Sequence, residues 1–437
     1  MKPEPPLGGR PVYVIDGSRT PCLKARGRPG PFTAADLAVR AGQPLLARQP
    51  FEPSGLDQVI LGCAIPGPDE ANIARVAALR LGCGKAVPAF TVQRNCGSGM
   101  QALDSAARDI AAGRSDLILA GGTEAMSHAP VLYNEKMVAW LGQWQKAKTL
   151  GERLKRIGQL RPAHFAPVIG LLRGLTDPTV GLIMGRTAEI LAWKFGISRE
   201  AMDRFALRSH QCLAKAQAEG RLAGEIEILY GDDGRYHDHD DGVRPDTTLE
   251  QLARLEPIFE RDFGVVTAGN SSQVTDGACW LLLASEAAVE RYGLEPLGRI
   301  VDCAWAGLDP ATMGLGPVYA STALLERQRL GINDIDYWEI NEAFAAQVLA
   351  CLKAFADAGF CRDELGLDGA LGEIDPERLN VDGGAIAVGH PVGMSGARIV
   401  LHLLRVLAEK QARRGVATLC IGGGQGGAML VEREGAA

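Results

Sequence analysis

Gln93-Arg-Asn-Cys-Gly-Ser-Gly-Met100 leads into an Ala-rich run and then into Ala112-Gly-Arg-Ser-Asp-Leu-Ile-Leu-Ala-Gly-Gly-Thr-Glu-Ala-Met126. Much later, Gly389-His-Pro-Val-Gly-Met-Ser-Gly396 leads into an apolar run and then into Arg413-Arg-Gly-Val-Ala-Thr-Leu-Cys-Ile-Gly-Gly-Gly-Gln-Gly-Gly-Ala-Met429. Both stretches follow one order: a glycine turn, an apolar helix, a glycine, a buried strand, and a glycine-rich loop ending Ala-Met. The shared order and spacing indicate an internal duplication, two similar α/β halves with equivalent turns; chance similarity accounts for them less well. Equivalent turns can face one shared site, so the polar residues on each become candidate partners.

Working outward, strand-like and helix-like runs alternate. Pro11 to Ile15, Gln58 to Cys63, Phe90 to Val92 and Asp116 to Ala120 read as strands. Ala34 to Ala47, Ala71 to Leu81 and Met100 to Ala112 read as helices, the last closed by Gly113. This rhythm predicts an α/β fold with a largely parallel sheet. The chain of 437 residues exceeds what one small core needs. A net charge of −6 gives no global attraction for nucleic acid. Ten scattered cysteines with no CxxC pair fit a reducing compartment and speak against structural zinc or a disulfide framework. The opening Met-Lys-Pro-Glu-Pro-Pro has the character of neither a signal nor a transit peptide. No apolar run approaches the ~18 residues of a membrane span. The expectation is a cytoplasmic enzyme.

Between the halves, residues 127–262 differ in character. A basic run begins near 131, and Met137, Trp140, Trp144, Ala147, Leu150, Leu154 and Ile157 fall at helical spacing, which predicts one continuous stripe. Residues 135–178 read either as a cap packed on the core or as an interfacial or partner-docking surface. Met184 to Leu213 reads as a further helical region. Tyr236-His-Asp-His-Asp-Asp241 imitates a metal site, but its acidic, loop-like context reads as a solvated turn, and no metal is expected.

Cys96 stands where a strand hands over to a helix. Unpaired N–H groups and the helix dipole stabilise a thiolate there, although a small Cys also fits a tight turn on packing grounds alone. His390 lies on the equivalent turn, and a neutral imidazole beside a thiol can take its proton. Cys420 ends a buried strand and opens a glycine loop whose N–H groups can approach a substrate oxyanion; a second thiol there can serve as acid and base, or be an ordinary strand Cys. Gly422, Gly424 and Gly427 satisfy G-x-G-x-x-G, but the residues that follow are too few for the helix and acidic ribose ligand of a dinucleotide fold, so no such site is expected.

Taken together, N-C-G-S-G (95–99), N-E-A-F (341–344), G-G-A-I-A-x-G-H-P-x-G-x-S-G (383–396) and C-x-G-G-G-x-G (420–426) resemble the motifs of the thiolase family, and the resemblance covers essentially the whole chain. It implies the thiolase fold: two duplicated βαβαβαββ halves in an α/β/α/β/α five-layer sandwich with an inserted loop domain. Residues 1–126 with 263–295 would form the first half, completed by a strand at Ala278 to Ala284; 127–262 would be the loop domain and 296–437 the second half. The implied activity is CoA-dependent thiolysis of 3-ketoacyl-CoA, as in fatty-acid β-oxidation, with coenzyme A as co-substrate and no permanently bound cofactor. Cys96 would carry the acyl group. His390 would activate it, and Asn341 would hold a water that completes the first oxyanion hole. Cys420 would exchange protons with the acetyl-CoA enolate and with CoA. The N–H groups of Cys96 and Gly422 would form a second hole. Ser272 would contact pantetheine, Arg244 the nucleotide side, and Met184 the acyl tunnel. A homodimer or homotetramer is implied.

Two departures matter. Asp382 stands where many relatives carry Asn, next to Gly-Gly-Ala, and is expected to alter hydrogen bonding near His390. The segment from Lys146 to Arg161 resembles that of the thiolase subunit of the fatty-acid trifunctional enzyme, which implies longer acyl chains, a hydratase/dehydrogenase partner or membrane contact through 135–178. That class carries His where this chain has Asn341, so short-chain acetoacetyl-CoA work stays open. A condensing synthase would lack the Cys420 loop, and a scaffolding subunit would not need the four intact polar residues.

Overall fold

In the computed structural model, residues 6–433 are described; Met1 to Pro5 of the N-terminal stretch discussed above lie outside them. The nine main strands are β1 (Val12–Arg19), β2 (Gln58–Gly62), β3 (Ala89–Val92), β4 (Leu117–Ala125), β5 (Thr275–Ala284), β6 (Gly298–Gly307), β7 (Tyr337–Ile340), β8 (Arg414–Ile421) and β9 (Gln425–Glu432). With the short strand Leu23–Lys24 on β5, they form one ten-stranded sheet in the order β3-β2-β4-β5-β1-β6-β9-β8-β7. This order is a near palindrome. β4 and β8 each follow a glycine-turn helix, β5 and β9 each return antiparallel beside them, and β1 meets β6 antiparallel at the centre. The partner that β7 lacks survives as one parallel bridge, Trp338 to Leu379, before the His390 turn, just as β3 precedes the Cys96 turn. The sheet is mixed, not largely parallel: only β3-β2-β4 and β7-β8 pair in parallel. The alternation of strand and helix does not reveal that the last strand of each half comes back beside its neighbour.

Side chains alternate across each strand, so the burial pattern sorts the layers. Along β5, Trp280 and Leu282 pack outward with helix Ala34–Ala47, while Cys279, Leu281 and Leu283 pack inward. Along β8, Leu419 and Ile421 share that inner core, while Val416 and Cys420 belong to the far side. Helix Val392–Glu409 touches β4 and β5 of one half and β7 and β8 of the other. The sheet therefore folds across β1–β6, and its halves face each other over two central helices, Ser98–Ala111 and Val392–Glu409. Helices Ala34–Ala47 and Ile73–Arg80 cover one outer face; Gly316–Gln328 and Ala345–Ala356 cover the other. This is the five-layer α/β/α/β/α arrangement.

The two central helices meet backbone to backbone. A Cβ on Gly99 would lie 2.8 Å from both the Ala397 nitrogen and the Gly393 oxygen. A Cβ on Gly396 would strike Met100, one on Gly122 would strike Gly393, and one on Gly62 would strike Ser98. Small residues are required here because the contact is between main chains.

Several local expectations change. The stripe from Met137 to Ile157 is two helices, Glu135–Lys146 and Leu150–Ile157. Thr149 caps the second in a reciprocal box with Glu152, which stops the first from running on. The pair folds back on itself, with the Trp140 indole donating to the Arg156 carbonyl at 2.9 Å. Leu150, Leu154 and Ile157 are left exposed. Met184–Lys194 and Arg199–Ala218 are likewise separate, split at Gly196, which has φ 56°, and at the Ser198 cap. The 236–241 segment is not wholly solvated. Tyr236–His237 pairs with Leu229–Tyr230, and Asp240 is fully buried on both Nη atoms of Arg19. Among the described residues no cluster could hold a metal ion, and no helix is long and apolar enough to cross a membrane. After the 422–424 glycines the chain enters strand β9 rather than a helix, which removes the dinucleotide reading.

The central contact makes a direct prediction. Gly99→Ala should lower unfolding stability by about 1–3 kcal/mol through overpacking. Gly142→Ala, in open space within a helix, should be neutral or raise stability by up to ~1 kcal/mol. Urea titrations of the two variants check this, and equal midpoints would contradict it.

Candidate active site

The strand β3 delivers the chain to a tight elbow. Asn95 takes a left-handed conformation, φ 45°, which Asn tolerates better than most residues. The Gly97 and Ser98 N–H groups donate back to the Arg94 and Asn95 carbonyls, and the Ser98 hydroxyl donates to the Asn95 carbonyl at 2.7 Å. Cys96 is thereby held half-buried just ahead of the Ser98–Ala111 helix. The N–H groups of Gly422 and of Cys96 itself point at its thiol and favour the thiolate. Burial outweighs them and pushes the Cys96 thiol above its ordinary range. The expected depression by the helix terminus is thus overridden in the free protein: Cys96 rests as a thiol and needs a base.

His390 is that neighbour. It is buried, and it lines the same cavity as Cys96, about 480 Å3 in volume. Its Nδ1 lies 2.6 Å from the Ser395 hydroxyl, and that hydroxyl donates its one proton to the Pro391 carbonyl at 3.0 Å. The hydroxyl must then accept from Nδ1–H, which leaves Nε2 as the bare lone pair. Nε2 has no protein partner. Burial, aided by the Arg398 charge, lowers the His390 pKa to about 4, so the imidazole is neutral across physiological pH.

Cys420 is buried at the end of β8, close enough to Cys96 for a charge on Cys96 to disfavour the ionisation of Cys420. Burial drives its pKa well up, so it too rests protonated. Gly422 follows, and its carbonyl accepts from the Asn95 amide at 2.8 Å, which ties the Cys96 elbow of one half to the Cys420 loop of the other. Asn341 ends β7 next to β8, its N–H donating to the Thr418 carbonyl. Its side-chain amide is buried without a protein partner.

Two carboxylates that sequence reading missed hold these turns. Glu124 accepts from the N–H groups of Ala64, Ile65 and Gly393, bridging the first half to the opening turn of the His390 helix. Glu342, next to Asn341, accepts from the Ser209 hydroxyl, the Asn380 amide and the Ile386 N–H, and so fixes the loop leading to His390. Glu124 lies inside the duplicated stretch 112–126 and Glu342 inside the N-E-A-F motif, but neither pattern says where the carboxylate points.

Met184, Ser272 and Arg244 line the Cys96–His390 cavity. Lys24, also on its wall, was not singled out from the sequence. Burial lowers the Lys24 pKa, and the nearby Arg244 and Arg26 charges lower it further, so this end is cationic. His210 accepts from the Arg244 N–H at 3.3 Å and is lowered to about 4, by burial and then by the Arg244 and Lys24 charges. Asp382 does not act on His390. It pairs with Arg221 at 3.0 Å and lies 3.6 Å from His402 Nε2, inside a buried ion cluster that includes Glu225.

The site geometry predicts how Cys96 titrates. Alkylation of Cys96 by iodoacetamide should still be rising beyond about pH 9. A rate that plateaus below about pH 8 would contradict the burial-dominated thiol. Peptide mapping of the alkylated protein assigns the label.

Comparisons with known proteins agree along the whole chain. Residues 12–287 match the family described as "Thiolase, N-terminal domain" and residues 294–433 match "Thiolase, C-terminal domain". The Escherichia coli K12 3-oxoadipyl-CoA/3-oxo-5,6-dehydrosuberyl-CoA thiolase is 43% identical over 97% of this chain and 100% of its own length. The Serratia proteamaculans 3-ketoacyl-CoA thiolase is 37% identical over 98% of each. Among solved structures, human mitochondrial 3-ketoacyl-CoA thiolase in complex with CoA superposes with a TM-score of 0.84 at 37% identity, over 99% of this chain and 100% of that one. The Bacillus anthracis acetyl-CoA acetyltransferase does so with 0.83 at 37% identity, over 98% and 99%. Matched in both halves and along its length, this chain belongs to the thiolase family of acyltransferases.

Proposed function

We propose that this chain catalyses CoA-dependent cleavage of 3-ketoacyl-CoA to acetyl-CoA and a shortened acyl-CoA, as in fatty-acid β-oxidation, through an acyl group carried on Cys96. The observation that carries this reading is the neutral His390, which shares a cavity with Cys96 and keeps its unprotonated Nε2 without a protein partner.

The proton and bond changes follow from the resting states. His390 Nε2 takes the proton of the Cys96 thiol, and the thiolate attacks the 3-keto carbon. The oxyanion is met by the protonated His390 and by a water held on the free Asn341 amide. The C2–C3 bond breaks, and the acetyl-CoA enolate takes the proton of Cys420, which its raised pKa has kept in place. Incoming CoA gives a proton back to Cys420 and attacks the Cys96 thioester. The N–H groups of Cys96 and Gly422 receive that oxyanion; each such donor is worth roughly 10²–10³ in rate. Cys96 leaves with the proton from His390. Lys24 and Arg244 at the cationic end suit the CoA phosphates, with Ser272 along the pantetheine path. CoA is a co-substrate here, and no permanently bound cofactor enters the scheme.

A short-chain acetoacetyl-CoA thiolase is the second reading, favoured by Asn341 in place of His. Ten free cysteines suit a cytoplasmic setting. The open edge of β3, with Phe90 exposed, suits a homodimer or homotetramer. Leu150, Leu154 and Ile157 form one exposed face of a helix that also carries Arg153, Lys155 and Arg156, which suits an anionic membrane, with a hydratase/dehydrogenase partner as the competing occupant.

Cys96→Ala should abolish thiolysis of acetoacetyl-CoA and longer substrates, and Cys420→Ala should lower kcat by about 10²–10⁴. A Cys96→Ala protein that turns over normally would refute the mechanism. In co-sedimentation with vesicles containing anionic lipid, Leu150→Gln combined with Leu154→Gln should release the protein into the supernatant; unchanged pelleting would refute membrane contact through this face.

A further inference from the structure

Two cavities meet at the Cys96 thiol. The larger, about 480 Å3, runs from Lys24 and Arg244 past Ser272 to His390. The smaller, about 170 Å3, extends away past Ile65 and Gly422 to Thr176 and Asp177. Cys96, Met126, Leu175, Met184 and Val392 belong to both walls. The proposed function, on which this inference rests, fills the larger cavity with CoA from its cationic end down to Cys96. The smaller cavity then offers the group attached to the attacked 3-keto carbon a path away from Cys96 that CoA does not occupy.

We infer that the smaller cavity is the acyl subsite, and that it accepts an uncharged straight chain and rejects one that ends in a carboxylate. Its apolar wall is made by Ile65, Leu175, Met184 and Val392, and each methylene buried there is worth about fourfold in affinity. Among the described residues no Lys, Arg or His lines it. Among the described residues its one charged lining residue is Asp177, buried, with one carboxylate oxygen accepting from the Thr179 hydroxyl and from the Thr179 and Val180 N–H groups. Those donors, the hydroxyl first, hold the carboxyl below its ordinary range, so it is anionic at neutral pH. A terminal carboxylate entering this space would lose water and meet a fixed like charge with no cation to offset it. Polar Gln93 and Asn95 sit at the exposed rim, where a longer chain can emerge.

The test compares acetoacetyl-CoA, 3-oxooctanoyl-CoA and 3-oxoadipyl-CoA as substrates for the full chain. Wild-type kcat/KM should favour 3-oxooctanoyl-CoA over 3-oxoadipyl-CoA by about tenfold or more. Ile65→Phe, which narrows the small cavity, should lower the ratio of 3-oxooctanoyl-CoA to acetoacetyl-CoA kcat/KM by about tenfold. Ile65→Ala, which widens it, should move the chain-length optimum upward. Asp177→Asn should raise 3-oxoadipyl-CoA relative to 3-oxooctanoyl-CoA. Equal or better use of 3-oxoadipyl-CoA by the wild type, or no change of ratio in either Ile65 variant, overturns the subsite alone. A wild-type protein that cleaves none of the three overturns the thiolase reaction itself, and the subsite with it.

Discussion

The close approach of Gly99 and Gly396 is the contact on which the rest of the structure depends. Each central helix presents a glycine to the main chain of the other, Gly99 to Gly393 and Ala397, and Gly396 to Met100. The reciprocity is what a duplicated unit produces when its two copies pack about a shared axis. Gly122 and Gly62 extend the same contact into strands β4 and β2. Larger residues would push the helices apart, and the turns that open them, one with Cys96 and one with His390, would separate with them. Catalytic geometry and core packing are one constraint here.

That packing also sets the chemistry. Burying both turns keeps His390 neutral and keeps Cys96 and Cys420 protonated. A thiol that would be activated by a helix terminus in water instead stays protonated in the free protein, and in the proposed mechanism His390 takes its proton when substrate arrives. Ser395 fixes which nitrogen of that imidazole is free. The Asn95–Gly422 and Glu124–Gly393 hydrogen bonds keep the two halves in register around the site. A pair that stays un-ionised at rest avoids the stray reactivity of a permanent thiolate.

Much of this was legible in the sequence, for identifiable reasons. The glycine turns, the helices after them and the buried strands are local patterns with strong periodicity, so helix Ala34–Ala47, strand β2 and the duplication read directly. Cys96 and His390 stood out because they sit on equivalent turns, and Cys420 because it ends a buried strand at a glycine loop; the structure brings Cys96 and His390 to one cavity. Long-range partners did not read. The roles of Glu124 and Glu342, the burial of Asp240 against Arg19 and the pairing of Asp382 with Arg221 all join residues far apart in the chain. The break in the 137–157 stripe was partly legible, since Thr149 and Glu152 spell a capping box, but the apolar period ran through it.

The central claim is that the acyl group rests on Cys96 between the two half-reactions. Mixing the full-length protein with a 3-ketoacyl-CoA in the absence of free CoA, quenching in acid and mapping peptides by mass spectrometry tests it most directly. One acyl adduct per active chain is expected, on the Cys96 peptide, and it disappears when CoA is added before the quench. An adduct on Cys420 instead, or acetyl-CoA release with Cys96 unmodified at every time point, would contradict it.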